Sequence, residues 1–157
     1  MSISPYQYQL LSQSFATIKP NFHCFCVSFN HRLKMHPMSM VIPSAESQIL
    51  AIEYQLRAFI QQSLIRMANQ KELCSYIVGN IATIKSLHPS ACDIRILCNC
   101  FLDTLKVHLG KQFTLAVRNA WKRALHIIAN VLKSELFGMS NIVYLDQVRQ
   151  KRQISHS

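Results

Sequence analysis

The last third of the chain contains two long segments with apolar stripes, joined by a short corner. Between residues 90 and 136, apolar residues recur twice with helical spacing, which predicts one helix on each side of the corner. The stripe of the first helix comprises Ile94, Leu97, Cys98, Phe101, Leu105 and Leu109, and that of the second comprises Val117, Trp121, Ala124, Leu125, Ile128, Leu132 and Leu136. Gly110 can adopt the left-handed conformation that ends a helix, and Thr114 can cap the next helix. Two such stripes restrict the chain to folds in which long helices pack together.

The remaining sequence also has the pattern of helices with short connections. Ser4 and Pro5 are typical of a helix start, Ser44 can cap a long helix, and Ser90 with Asp93 can form a capping box. After Ser44, one helical stripe runs from Ile49 to Met67, and a second segment places Leu73, Tyr76, Ile77, Ile81 and Ile84 on one face. Gly138 ends the last helix. We therefore predict an all-α fold of six or more helices.

Composition is consistent with one helical domain. The chain has 157 residues, half of them apolar, and only three glycines, which argues against a β-fold with many tight turns. The domain is expected to span residues 4–138, with a basic, polar tail at 139–157. No apolar run reaches the roughly 20 residues of a membrane-spanning helix. The first residues do not resemble a secretory signal, so a cytoplasmic location is expected.

The chain is strongly basic, with a formal net charge of +10. A basic surface attracts nucleic acid and anionic membranes, and recruitment of a helical module to either is one open reading. No nucleic-acid-binding motif is present, so specific binding to nucleic acid is not expected. The six cysteines lack the context of a disulfide framework, and we expect them to behave mainly as small buried apolar residues.

The Leu-Gly-x-x-Phe-Thr corner followed by Ala-Trp-x-x-Ala resembles the G helix, GH corner and H helix of the globin family, particularly its bacterial and cyanobacterial single-domain members. The stretch 4–37 is similar to their A and B helices. The resemblance covers roughly residues 4 to 137 and implies a globin-like helical fold. It also implies an iron porphyrin held by one histidine of the F helix.

That proximal histidine is missing from the place where the resemblance puts it. The family signature Leu-Gly-x-x-His aligns with Ile81 to Lys85, so Lys85, or Ile84 in a register shifted by one, stands at the histidine position. A lysine amine would ligate iron only with a strongly depressed pKa. His88 lies four residues after Ile84 and, in an unbroken helix, would share its face as an alternative axial ligand.

Other haem-facing positions also differ from the family pattern. The phenylalanine of the CD corner would fall at or beside Pro43, and no aromatic residue occurs between Phe29 and Tyr54. Where relatives often carry a tyrosine in the B helix, this chain has Asn30. On the distal helix, the candidate pocket residues are Gln48, Ile52 and Leu56.

These differences leave two main hypotheses. In the first, the protein is a haem-free, globin-like, non-enzymatic domain that binds a small apolar ligand or a protein partner, or acts as a sensor. In the second, it is a haem globin that binds O₂ or nitric oxide with His88 as axial ligand. The resemblance further implies a possible homodimer through the G and H helices.

Overall fold

A computed structural model describes residues 3–42 and 46–138. These residues form six α-helices of ten or more residues and one of five, with no strand among them. The helices are α1 (Pro5–Ile18), α2 (Phe22–Lys34), α3 (Glu46–Ile65), α4 (Gln70–Gly79), α5 (Ile81–Lys85), α6 (Ala91–Leu109) and α7 (Leu115–Phe137). Short 3-10 turns join α1 to α2 and follow α6. The all-α prediction is confirmed.

Helix boundaries follow the predicted local signals. The Ser4 hydroxyl accepts a hydrogen bond from the Gln7 backbone N–H, and the Gln7 side chain accepts one from the Ser4 N–H, which completes a capping box. The Thr114 hydroxyl accepts from the Val117 N–H at the start of α7. Gly110 and Gly138 end α6 and α7 with φ values of +54° and +66°, where side chains are disfavoured.

The most extensive helix packing is that of α7 on α1 and α6, and of α6 on α2. Trp121 of α7 is 1% exposed, and its Nε1–H donates a hydrogen bond of 2.7 Å to the Ser14 hydroxyl of α1. The same indole lies 5.5 Å from the Phe101 ring of α6. Because a buried indole N–H needs an acceptor, this hydrogen bond fixes α1 against the α6–α7 pair.

The segment 70–85 differs from the predicted single helix. It breaks at Asn80, whose backbone leaves helical geometry and whose side-chain amide donates to the Tyr76 carbonyl. The stripe of Ile77, Ile81 and Ile84 continues across the break, so periodicity alone did not reveal it.

Pro43, Ser44 and the tail at 139–157, on which predictions were also made, lie outside the described residues. Within the described residues, no helix is both long and apolar enough to cross a bilayer.

Candidate functional site

An apolar cavity of about 200 Å³ lies between α2, α3, α6 and α7. The segment before α3 and the turn after α5 also contribute to its lining, and the space is partly open to solvent. Most of its lining side chains are aliphatic or aromatic: Phe29, Leu33, Met40, Val41, Ile42, Ile49, Ile52, Leu56, Ile84, Leu87, Pro89, Ile94, Leu97 and Leu132.

Three side chains with polar groups complete the lining: Cys26, Asn30 and Glu53. The Glu53 carboxylate lies 2.7 Å from Nδ1 of His23, an ion pair when the imidazole is protonated. Burial raises the pKa of the Cys26 thiol to about 12, with Glu53 adding to the shift and Arg57 opposing it. The thiol is therefore neutral at physiological pH and contributes to the apolar character of the wall.

The segment that closes the cavity before α3 is held by a buried carboxylate of α6. Asp93 is 1% exposed and accepts hydrogen bonds from the backbone N–H groups of Ser39 at 3.1 Å and Met40 at 2.9 Å. It also accepts from the N–H of Ser90, completing the predicted capping box. Burial alone would raise the pKa of this carboxyl, but these hydrogen bonds outweigh it and hold the pKa below its ordinary value.

The structure brings four of the sequence-predicted pocket residues together. Asn30 of α2, Ile52 and Leu56 of α3, and Ile84 of α5 all line the cavity. Asn30 is half-buried, as are the three aliphatic side chains. These residues come from three separate helices, so their meeting is a product of the fold.

The other three candidates do not line the cavity. Gln48 is exposed in the first turn of α3, and Lys85 is exposed at the end of α5. His88 is also exposed and has a φ of +53°, because α5 ends at Lys85 and the chain turns before Pro89. His88 therefore does not continue the face of Ile84, as an unbroken helix would require.

Sequence reasoning missed several lining residues. Met40, Val41 and Ile42 lie in a segment without helical periodicity, and Leu87 lies in the turn after α5. The sequence pointed to this segment only indirectly, through Asp93, which was predicted to cap α6. Its hydrogen bonds to Ser39 and Met40, more than 50 positions earlier, could not be predicted from local spacing.

A second concave region, here called the outer groove, runs between α3 and the α4–α5 segment. Its volume is about 530 Å³, and it is open to solvent. It is lined by Ile52, Tyr54, Gln55, Leu56, Ala58, Phe59, Tyr76, Asn80, Thr83, Ile84, Ser86 and Leu87. Four of these residues, namely Ile52, Leu56, Ile84 and Leu87, also line the cavity. The two spaces are therefore neighbours with a common wall.

The cavity residues do not suit an iron porphyrin. A cavity of roughly 150 Å³ holds a benzene molecule, and a porphyrin macrocycle is several times larger than benzene. Among the described residues that line the cavity there is no histidine. Its two sulfur atoms belong to the Cys26 thiol, which is neutral whereas iron takes a thiolate, and to the Met40 thioether, which in cytochromes c ligates haem iron together with a histidine. Within residues 3–42 and 46–138, no group of three or more His, Cys, Asp or Glu residues could hold a metal ion.

Comparison with known proteins does not assign the chain to a family. No family model matches it, and no curated protein is significantly similar to it in sequence.

Proposed function

We propose that the protein is a haem-free, globin-like domain that binds a small apolar ligand in the cavity between α2, α3, α6 and α7. The observation that carries the proposal is the cavity itself, which has an almost entirely aliphatic and aromatic lining. An apolar lining offers water few hydrogen-bonding partners, so an apolar ligand that fills the space is favoured.

The volume of the cavity limits the size of the ligand that it can hold. At about 200 Å³, the cavity exceeds the roughly 150 Å³ that accommodates benzene, so a single substituted ring or a short hydrocarbon chain fits. Each buried Å² of apolar ligand surface contributes about 25 cal/mol to binding, before the cost of immobilising the ligand is subtracted.

The globin-like part of the proposal depends on the corner between α6 and α7. The Leu-Gly-x-x-Phe-Thr sequence, the positive φ of Gly110 and the Thr114 cap support its equivalence to a GH corner. The haem-free part is supported by the size of the cavity and by the exposed position of His88 outside it.

Binding is tested by titrating purified full-length protein with toluene and measuring the heat released and the shift in Tm. We expect saturable binding and a higher Tm, because a ligand that binds only the folded state stabilises it. Leu97→Phe places a larger, rigid ring at the cavity and should weaken this binding. Leu102→Phe, on the same helix but away from the cavity, is the matched control and should bind normally. Toluene binding that Leu97→Phe leaves intact would contradict the proposed site.

Haem binding is tested separately by adding haemin and recording the absorption spectrum. We expect no stoichiometric Soret band. A Soret band lost in His88→Ala would instead establish the haem globin with His88 as axial ligand.

A further inference from the structure

A third concave region, here called the basic cleft, lies between α6 and α7 on the side of His36. Its volume is about 510 Å³, and it is open to solvent. Its lining is divided between charged side chains, namely Asp103, Lys106, Arg118 and Lys122, and an apolar floor of Ile96, Leu102 and Phe113. None of the described residues that line it also lines the cavity, so the two spaces are separate.

Three positively charged side chains converge on the basic cleft. Lys106 lies in the last turn of α6, and Arg118 and Lys122 lie four residues apart, on one face of the first half of α7. Over residues 3–42 and 46–138, none of these three cations forms an ion pair. Asp103 contributes the only carboxylate among the described lining residues, so three cations and one anion leave two net positive charges. His36 adds to them when it is protonated.

The arrangement of these cations differs from that of other basic residues of the chain. Lys19 and Lys85 are exposed, and they line neither the cavity, the outer groove nor the basic cleft. In the cleft, by contrast, like charges share one concave space. A cleft lined by charges of one sign focuses their potential and raises the local concentration of ions of the opposite sign. The basic cleft therefore favours an anion more than a dispersed basic surface does.

The floor adds a second requirement for the ligand. Ile96 and Leu102 of α6 and Phe113 of the corner are half-buried and pack against the hydrophobic core. Their positions are therefore set by the fold and not by the ligand. A mineral anion would use only the three cations, whereas an anion that carries an apolar group would also cover this floor and remove it from water.

We propose that the basic cleft binds a small organic phosphate monoester, with its phosphate held by Lys106, Arg118 and Lys122 and its apolar group on the floor. A phosphate monoester carries a charge of about −1.5 to −2 at pH 7, which matches the two net positive charges of the lining. Lysine and arginine are both common phosphate ligands. The head group of phosphatidic acid has the same chemistry, but a concave space with an apolar floor fits a small molecule better than a membrane surface.

The ligand class is tested by calorimetric titration of the full-length protein at pH 7.5 with phenyl phosphate, benzenesulfonate and inorganic phosphate. We expect phenyl phosphate to bind about fivefold more tightly than either of the others, because benzenesulfonate has only one negative charge and inorganic phosphate has no ring. Added salt should weaken the binding of phenyl phosphate, since exposed charges are screened. Equal binding of all three anions would overturn the proposed class.

The position of the phosphate is tested with the double variant Arg118→Gln/Lys122→Gln. We expect it to bind phenyl phosphate about tenfold more weakly, because two exposed charge pairs are lost. Lys19→Gln/Lys85→Gln removes the same net charge outside the cleft and should bind like the unmodified protein. If the first variant fails to fold, Lys106→Gln alone should still weaken binding. Equal losses in the cleft variant and in the matched control would mean that overall charge, and not the cleft, attracts the anion.

Asp103→Asn gives a test of opposite sign. It removes the negative charge from the lining, so phenyl phosphate should bind about two- to threefold more tightly than to the unmodified protein. Unchanged or weaker binding would place the phosphate away from this carboxylate and contradict the proposed site.

Two further outcomes separate this inference from its alternatives. If vesicles containing phosphatidic acid bind and lose binding in Arg118→Gln/Lys122→Gln, while phenyl phosphate does not bind, the cleft recognises a membrane surface and the small-molecule proposal is wrong. The inference does not depend on the proposed function, since the cavity shares no described residue with the cleft. Toluene binding should therefore be unchanged in Arg118→Gln/Lys122→Gln, and a joint loss would contradict two separate sites.

Discussion

The antiparallel pair α6–α7 has two parts that differ in packing: a tightly packed part, here called the solid end, and a part that borders the cavity, here called the hollow end. At the solid end, Phe101 of α6 packs against Trp121 of α7, and Phe101 also contacts the rings of Phe25 and Phe29 at 5.1 and 5.7 Å. At the hollow end, Leu97 of α6 and Leu132 of α7 line the cavity. The same two helices thus serve both for stability and for a candidate binding site.

The difference lies in what packs across the pair. Phe25 and Phe29 of α2 pack edge-on against Phe101 at the solid end, contacts that stabilise beyond buried area, and Phe29 also borders the cavity. The hollow end is covered by α3 and the short helix α5, whose wall residues are half-buried. Stability and binding are expected to respond differently to substitutions at the two ends.

The largest effect is expected at the solid end, from Trp121→Ala. The indole is almost fully buried, so its loss leaves a large void and removes the hydrogen bond that the Ser14 hydroxyl accepts, although this hydroxyl still donates to the Leu10 carbonyl. We expect the free energy of unfolding in urea to fall by about 3–5 kcal/mol. Trp121→Phe keeps most of the ring volume and should cost clearly less. A loss below about 1 kcal/mol for the alanine variant would mean that this end is not the stable one.

The next largest effect is expected from Asp93→Asn, which weakens the link between α6 and the segment that closes the hollow end. An amide has one acceptor oxygen in place of two, so the bonds from Ser39, Met40 and Ser90 cannot all be retained. We expect a loss of about 2–3 kcal/mol near neutral pH. Weaker toluene binding should accompany it, because Met40 lines the cavity.

The contribution of Asp93 also has a predictable pH dependence. Its pKa in the folded protein lies below the ordinary value of 3.8, so its stabilisation is fully present above about pH 4 and is lost as the pH falls through the folded pKa. The difference in unfolding free energy between the unmodified protein and Asp93→Asn should therefore shrink below pH 4. A difference that stays constant down to pH 2 would contradict the hydrogen-bonded carboxylate.

The solid end was predictable from sequence to a greater extent than the hollow end. The stripes containing Phe101 and Trp121, and the cap at Thr114, are local signals, and the structure confirms each of them. The walls of the cavity depend on contacts between distant parts of the chain. The path of Met40 is set by Asp93, 53 positions later, and neither periodicity nor spacing encodes that contact.

The same reasoning explains the candidate site residues. Ile52, Leu56 and Ile84 were candidates because the globin resemblance places them on the distal and proximal sides of a pocket, and in the structure all three line the cavity. His88 was considered because helical spacing extends the face of Ile84 by one turn. The turn between Lys85 and Pro89 ends that face, and a positive φ at a histidine carries no sequence signal as strong as a glycine would.

A smaller effect is expected from Ile84→Ala at the hollow end. Replacing a fully buried isoleucine by alanine in a well-packed core costs about 2–5 kcal/mol. Ile84, however, is half-buried and already borders an empty space. We expect a loss of about 1 kcal/mol in urea. Leu105→Ala, at a fully buried position of α6, should cost at least twice as much. Equal losses of unfolding free energy in the two variants would contradict the difference in packing between the two ends.

The smallest effect is expected from His88→Gly. Glycine relieves the strain of the left-handed backbone, worth about 1 kcal/mol, but the unfolded chain gains a similar amount of entropy, so the two terms nearly cancel. We expect the free energy of unfolding to change by less than about 0.5 kcal/mol, whereas His88→Val should destabilise because a branched side chain tolerates this conformation poorly. Toluene binding should be unchanged in His88→Gly, since the imidazole lies outside the cavity. A loss of both stability and binding in His88→Gly would place this histidine in the hollow end after all.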